Sequence, residues 1–248
     1  MGAVLGAFAV LPGLAVGSFL NVVAARLPEQ RSIVRPRSAC GSCATPIAWY
    51  DNLPLLSYAL LRGRCRACGA RISLIYPAVE LATAALLAGC LVDFGLSLRA
   101  GAAAVFCAAL VVVTATDLTH RIVPNRVVLP AAAVVLALMT AAEPSPEWAI
   151  AGAGASAFLL ATALAYPRGM GMGDVKLALL MGTALGRTVA VALPLAMIAA
   201  LVPAVFLFAR HGPAARKMAI PFAPFLAFGS VVALFGGDAL IHAYMSLF

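Results

Sequence analysis

The sequence predicts an all-α, polytopic membrane protein of about eight spans that carries one small soluble insert. Three observations predict it. Of the 248 residues, 64% are hydrophobic and 10% charged, whereas a soluble domain carries about 25% charged residues. Apolar segments long enough for bilayer-crossing helices recur along the chain, separated by clusters of proline, glycine and charge. One polar region, 25–76, interrupts them and holds four of the six cysteines.

The first apolar segment covers roughly residues 3–24. No basic residue precedes it, and the first one, Arg26, follows it. That order predicts an uncleaved first span with its N-terminus outside. Further segments lie at about 77–94, 99–117, 127–142, 148–166, 175–186, 187–209 and 222–244. The segment 175–186 is short, about 18 Å as a helix at 1.5 Å per residue, against a hydrocarbon core of about 30 Å. Either the bundle buries a short helix or 175–209 runs as one kinked helix. The expected organisation is a first span at 1–24, an insert at 25–76 and a membrane domain at 77–248.

Eight spans place the loops 25–76, 118–126, 167–176 and 210–221 on one side. These loops hold 15 of the 17 lysines and arginines, and Arg99 and Arg187 alone fall outside them. Basic loops face the cytoplasm, so this side is expected to be cytoplasmic. The net charge of +8 thereby reads as topology. Nucleic acid is not expected as a partner, because no aromatic RNA-binding motif accompanies the charge.

Two aspartates break the basic pattern of that face. Asp117 closes one apolar segment, and Asp174 opens another in Gly171-Met172-Gly173-Asp174. Each can be an interfacial residue that merely finishes a helix. Ionisable groups at a membrane edge are also functional candidates. Two close carboxyls suit peptide hydrolysis, since they share a proton: one takes a proton from water while the other protonates the scissile group. Asp174 sits at a helix start, which favours its anion, and Asp117 at a helix end. Asp174 is thus expected as the base and Asp117 as the proton donor. Gly171 and Gly173 permit close approach of a substrate strand. Lys176 either holds the Asp174 carboxylate ionised or snorkels to the surface.

The insert contains Cys40-Gly41-Ser42-Cys43 and Cys65-Arg66-Ala67-Cys68, a CxxC…CxxC pattern. Four thiolates at this spacing make a tetrahedral zinc site. Two disulfides are the competing reading, disfavoured in a reducing cytoplasm. Zinc would stabilise an insert with few aliphatic residues, and a closed four-sulfur site leaves no open position for catalysis. Cys90 and Cys107 read as buried thiols inside spans. Between the cysteine pairs, Trp49 and Tyr50 suit the headgroup level, and Asp51 can cap a turn or pair with an arginine.

Several stretches together resemble a known family. Thr116-Asp117 followed by Ile122-Val123-Pro124-Asn125, then GMGDVK at 171–176 and Pro221-Phe222-Ala223-Pro224-Phe225-Leu226-Ala227, look like the type IV prepilin peptidases, GxGD-type aspartic membrane proteases. The resemblance implies that Asp117 and Asp174 cleave a short basic leader from prepilins or pseudopilins at the cytoplasmic face of the bacterial inner membrane. Gly17-Ser18-Phe19-Leu20-Asn21, the cysteine pairs, WYDNLPLLSY at 49–58, and Tyr76-Pro77 with Glu80 are similar to the bifunctional members. There the N-terminal region accompanies N-methylation of the new terminus by S-adenosylmethionine. Leu53, Val123 and Ala223 depart from the common family residues by small changes of volume. No soluble methyltransferase glycine loop is present, so Asp51, Asn52 and Glu80 are taken as candidate cofactor contacts. Because the leader is basic, Asp51, Glu80 or anionic lipid is expected to hold it. Two other readings are a peptidase whose insert is a docking platform and a zinc-ribbon membrane transport or binding protein. The second leaves GMGD unexplained.

Overall fold

The computed structural model describes residues 2–166, 170–212, 214, 218 and 220–246. The loop residues Arg168, Arg216 and Lys217, counted above as basic charges, lie outside the described residues. Nine α-helices are described: α1 Gly2–Arg26, α2 Leu56–Leu60, α3 Ile75–Phe94, α4 Leu98–His120, α5 Asn125–Ala142, α6 Glu147–Ala165, α7 Met172–Leu185, α8 Val189–His211 and α9 Ala223–Met245. Among the described residues there is no β-strand, and the insert has two isolated β-bridges. The chain divides into two compact units, Met1–Leu96 and Ser97–Phe248.

In the first unit α1 packs along α3. A stripe of glycines makes the contact. A Cβ on Gly13 would lie 2.7 Å from the Ala84 Cα, and one on Gly17 would lie 2.6 Å from the Glu80 Cα. The helices therefore touch backbone to backbone, as small residues allow in membranes. The Asn21 amide donates to the Tyr76 carbonyl at 3.0 Å, tying the end of α1 to the start of α3. Between these helices the chain forms two similar cysteine knuckles. The Cys40 amide donates to Thr45 and the Ala44 amide to Cys40; likewise Cys65 donates to Ala70 and Gly69 to Cys65. The closing residue of each has positive φ, +55° at Ala44 and +70° at Gly69.

In the second unit α7 is the centre. Leu177, Ala178, Leu180 and Met181 are fully buried, and α7 touches α4, α5, α6, α8 and α9. A helix that is apolar all round is a buried one. Its 14 residues span about 21 Å, so protein rather than lipid must cover it. Gly186, at φ +55°, ends α7. One 3-10 turn, Gly186–Thr188, leads into α8, which packs mainly on α9. The chain therefore has a short buried helix followed by a distinct one. Seven helical stretches among the described residues are long and apolar enough to cross a membrane when Met172–His211 is taken as a single stretch. The protein is a multi-pass, all-α membrane protein.

The two basic residues that fell outside the basic loops both have acidic partners. Arg99 pairs with Glu143 at 3.0 Å and Arg187 with Asp238 at 2.8 Å. The Arg187 amide also donates to Glu147 at 2.8 Å. These contacts join the start of α4 to the end of α5, and the α7–α8 turn to α6 and α9.

Candidate active site and cysteine cluster

Asp117 lies in the last turn of α4 and is 7% exposed. It is held from a distant part of the chain. The amide of Ala223, the first residue of α9, donates to Asp117 Oδ2 at 3.0 Å. Arg121 caps α4 in the left-handed conformation, φ +55° and ψ +42°, and its amide donates to the Asp117 carbonyl. That cap turns the chain into Ile122-Val123-Pro124-Asn125, and α5 begins at Asn125.

Asp174 lies in the first turn of α7, after the N-cap Gly171, and is half-buried. Its amide donates to the Gly171 carbonyl at 3.1 Å. Gly173 faces the 122–125 turn: a Cβ there would lie 2.7 Å from Val123 Cβ. Lys176 Nζ donates to Asn125 Oδ1 at 3.0 Å. The lysine thus binds the same turn, a third outcome beside the two considered for it. The two aspartates flank the same turn: Arg121, whose amide binds the Asp117 carbonyl, leads into it, and Gly173, beside Asp174, packs on its Val123. Together these contacts bring Asp117, Asp174, Gly173 and Lys176 to one end of the second unit.

Sequence reasoning missed the amide of Ala223 and the partner role of Asn125. A backbone donor leaves no signature in residue types. The Lys176–Asn125 pair spans 51 residues, a separation that no local pattern encodes.

The four insert sulfurs lie within 4.8 Å of one another, and Cys40 and Cys68 Sγ are 3.8 Å apart. A tetrahedron with Zn–S of about 2.3 Å has edges of about 3.8 Å. Thr45 stands 3.3 Å from Cys43 Sγ. Its hydrogen bonds hold the Cys43 thiol well below the ordinary range, at about 6. Cys40, Cys43, Cys65 and Cys68 therefore fit a metal ion through sulfur.

The three candidate cofactor residues lie along one stretch: Asp51 and Asn52 share the 3-10 turn Trp49–Asn52, and Glu80 binds Leu55 three residues further on. Arg66 binds the Asp51 carboxylate through Nε and Nη2, the shortest contact being 2.6 Å, and holds its carboxyl below the usual range. Glu80 is buried and accepts the Leu55 amide at 2.9 Å. Asn52, exposed in the 3-10 turn Trp49–Asn52, lines a cavity beside the end of α1.

Comparison with known proteins agrees with this layout. Residues 11–94 match the bacterial peptidase A24 N-terminal domain, and residues 104–209 match the type IV leader peptidase family. A Bacillus subtilis protein named prepilin leader peptidase/N-methyltransferase is 36% identical over 248 residues, covering 95% of this chain and 96% of its own. A Burkholderia pseudomallei protein of the same name is 36% identical over 93% of this chain and 85% of its own. One from Pseudomonas aeruginosa is 33% identical over 95% and 92%. No solved structure matches the chain. With relatives this similar over nearly their whole length, the chain belongs to the type IV leader peptidase family.

Proposed function

We propose that this chain is an aspartic endopeptidase that removes the short leader from prepilins or pseudopilins. The observation that carries the reading is the placement of Asp117 and Asp174 on either side of the 122–125 turn, Asp117 ending α4 and bound by the Ala223 amide, Asp174 in the first turn of α7 beside Gly173, which packs on Val123. Asp174, at the start of α7, takes a proton from water, and the water oxygen attacks the scissile carbonyl carbon. The Ala223 amide occupies Asp117 Oδ2 as an acceptor, so the transferable proton of Asp117 sits on Oδ1 and passes to the carbonyl oxygen. The tetrahedral intermediate then collapses. Asp174 returns its proton to the leaving amine as the C–N bond breaks, and Asp117 recovers its own. Gly171, Gly173 and Lys176 shape the loop: Gly171 leaves space beside Asp174, Gly173 lets the 122–125 turn pack on the start of α7, and the lysine anchors α7 to that turn.

The zinc assignment rests on the sulfur geometry, and a bound zinc would serve structure rather than chemistry. Methylation of the new N-terminus is proposed from the relatives' names, with S-adenosylmethionine as donor. Asp51, Asn52 and Glu80 are the residues proposed to contact that donor, with Asp51 also bound by Arg66 and one Glu80 oxygen by the Leu55 amide. The charge pattern supports placing the insert and both aspartates at the cytoplasmic face of the bacterial inner membrane. The basic leader then meets a basic face, which favours anionic lipid over Asp51 or Glu80 as its holder.

The test is mass spectrometry of a prepilin incubated with the purified full chain in detergent, with and without S-adenosylmethionine. Leader loss that disappears in Asp174→Ala supports the peptidase, and an added methyl on the new terminus supports the second activity. Cleavage without methylation would reduce the insert to a docking role. A panel of prepilins all left intact would sink the reading.

A further inference from the structure

A cavity of about 570 Å³ opens where Arg26 closes α1, between that helix end, segment 33–38 and residues 47–52. Its volume is in the range of about 300–1,000 Å³ that small-molecule sites occupy. Phe19 and Val22, from the last turns of the span, form part of its wall with Ile33 and Val34, and Arg26 and Arg37 also line it.

The charges of this cavity are uncompensated. The Arg26 guanidinium donates to the carbonyls of Ser32 at 2.9 Å and Pro36 at 2.8 Å. Carbonyl oxygens orient a guanidinium without neutralising it, so a fixed positive charge remains. Region 25–76 has eight arginines against two acids, Glu29 and Asp51. Both acids have other partners, Arg31 and Arg66. Among the described residues no acid pairs with Arg37.

A cationic lining beside apolar wall residues that belong to a membrane-spanning helix matches an amphiphile with an anionic head. S-adenosylmethionine has a sulfonium and an ammonium against one carboxylate, and two guanidiniums would repel it. A free phosphate would leave the apolar wall in water. We propose that this cavity binds an anionic phospholipid of the surrounding leaflet, its phosphate on Arg26 and Arg37 and its upper acyl chain against Phe19 and Val22. The inference requires that α1 span the membrane and is independent of the peptidase chemistry.

Native mass spectrometry of the full chain in uncharged detergent tests it. Phosphatidylglycerol is expected to be retained at one per chain and phosphatidylcholine to be lost. Arg26→Gln and Arg37→Gln should each weaken phosphatidylglycerol retention about fivefold, the effect of one basic residue on an anionic lipid. Arg37→Gln removes no internal hydrogen bond recorded in the insert, so it separates lipid binding from folding. Equal retention of both lipids, or unchanged binding in both variants, would overturn the proposal. So would displacement by inorganic phosphate or by S-adenosylhomocysteine, which would assign the cavity to a soluble ligand.

Discussion

Gly173 and Val123 pack so closely that no side chain fits between them: a Cβ on Gly173 would stand 2.7 Å from Val123 Cβ and 3.0 Å from Cγ2. Real Cβ atoms do not approach so near, and the neighbour is a stiff β-branched residue. Gly173→Ala should therefore push the start of α7 off the 122–125 turn and carry Asp174 with it. A displacement of about 1 Å can cost about 100-fold in rate. Leader cleavage by Gly173→Ala should fall by up to that amount, and Val123→Gly in the same chain should restore part of it. Absence of rescue would mean that the glycine serves the substrate rather than the turn.

The two aspartates should differ when each is changed to asparagine. An asparagine at 117 still offers a hydrogen-bond donor to the scissile carbonyl, whereas one at 174 cannot accept the water's proton. Both variants should lose about 10²–10⁴-fold in cleavage rate, with Asp117→Asn retaining the greater residue. The reverse order, measured by single-turnover cleavage of a synthetic prepilin, would exchange the assigned roles.

One zinc per chain should be found by elemental analysis and lost on chelation, with unfolding of the insert, because ligand sulfurs bind metal as thiolates. Cys43 is held at about 6, chiefly by its hydrogen bonds with Thr45. Above that value it is a thiolate, and below it protons compete with the metal at this ligand. Removing the hydroxyl in Thr45→Val should raise the Cys43 pKa and move metal release to higher pH, read with a chromogenic chelator. An unchanged release profile would show that Thr45 does not set the thiolate.

The glycine stripe predicts a stability effect remote from either aspartate. Gly17→Val places side-chain atoms against the Glu80 backbone. Overpacking of this kind costs about 1–3 kcal/mol, so thermal unfolding in detergent should shift down. A change at Gly41, where a Cβ meets nothing within 4 Å, should leave it unmoved.

Which parts of this were legible in the sequence has a physical reason. Asp117 and Asp174 stood out because acids are exceptions on a basic face, and the cysteine pairs because their spacing is specific. Arg99 and Arg187 were visible as exceptions, but their acids Glu143 and Asp238 are 44 and 51 residues away, a separation that no local pattern encodes. The burial of α7 was open for another reason. Hydropathy cannot tell a helix surrounded by protein from one surrounded by lipid, since both neighbours are apolar. Length gave the hint, and the tertiary contacts decided it. For Asp51 and Glu80 the sequence showed only polar residues near a membrane surface; their partners, Arg66 and the Leu55 amide, come from folding of the insert.

The burial of α7 also bears on how the enzyme meets different membranes. A helix in contact with lipid tilts or shifts when bilayer thickness changes. Protein encloses α7, so the height of Asp174 is referenced to the neighbouring helices. The scissile bond would then be selected at a depth measured from the protein itself, and the cut position should stay the same in thin and thick bilayers even where the outer helices adjust.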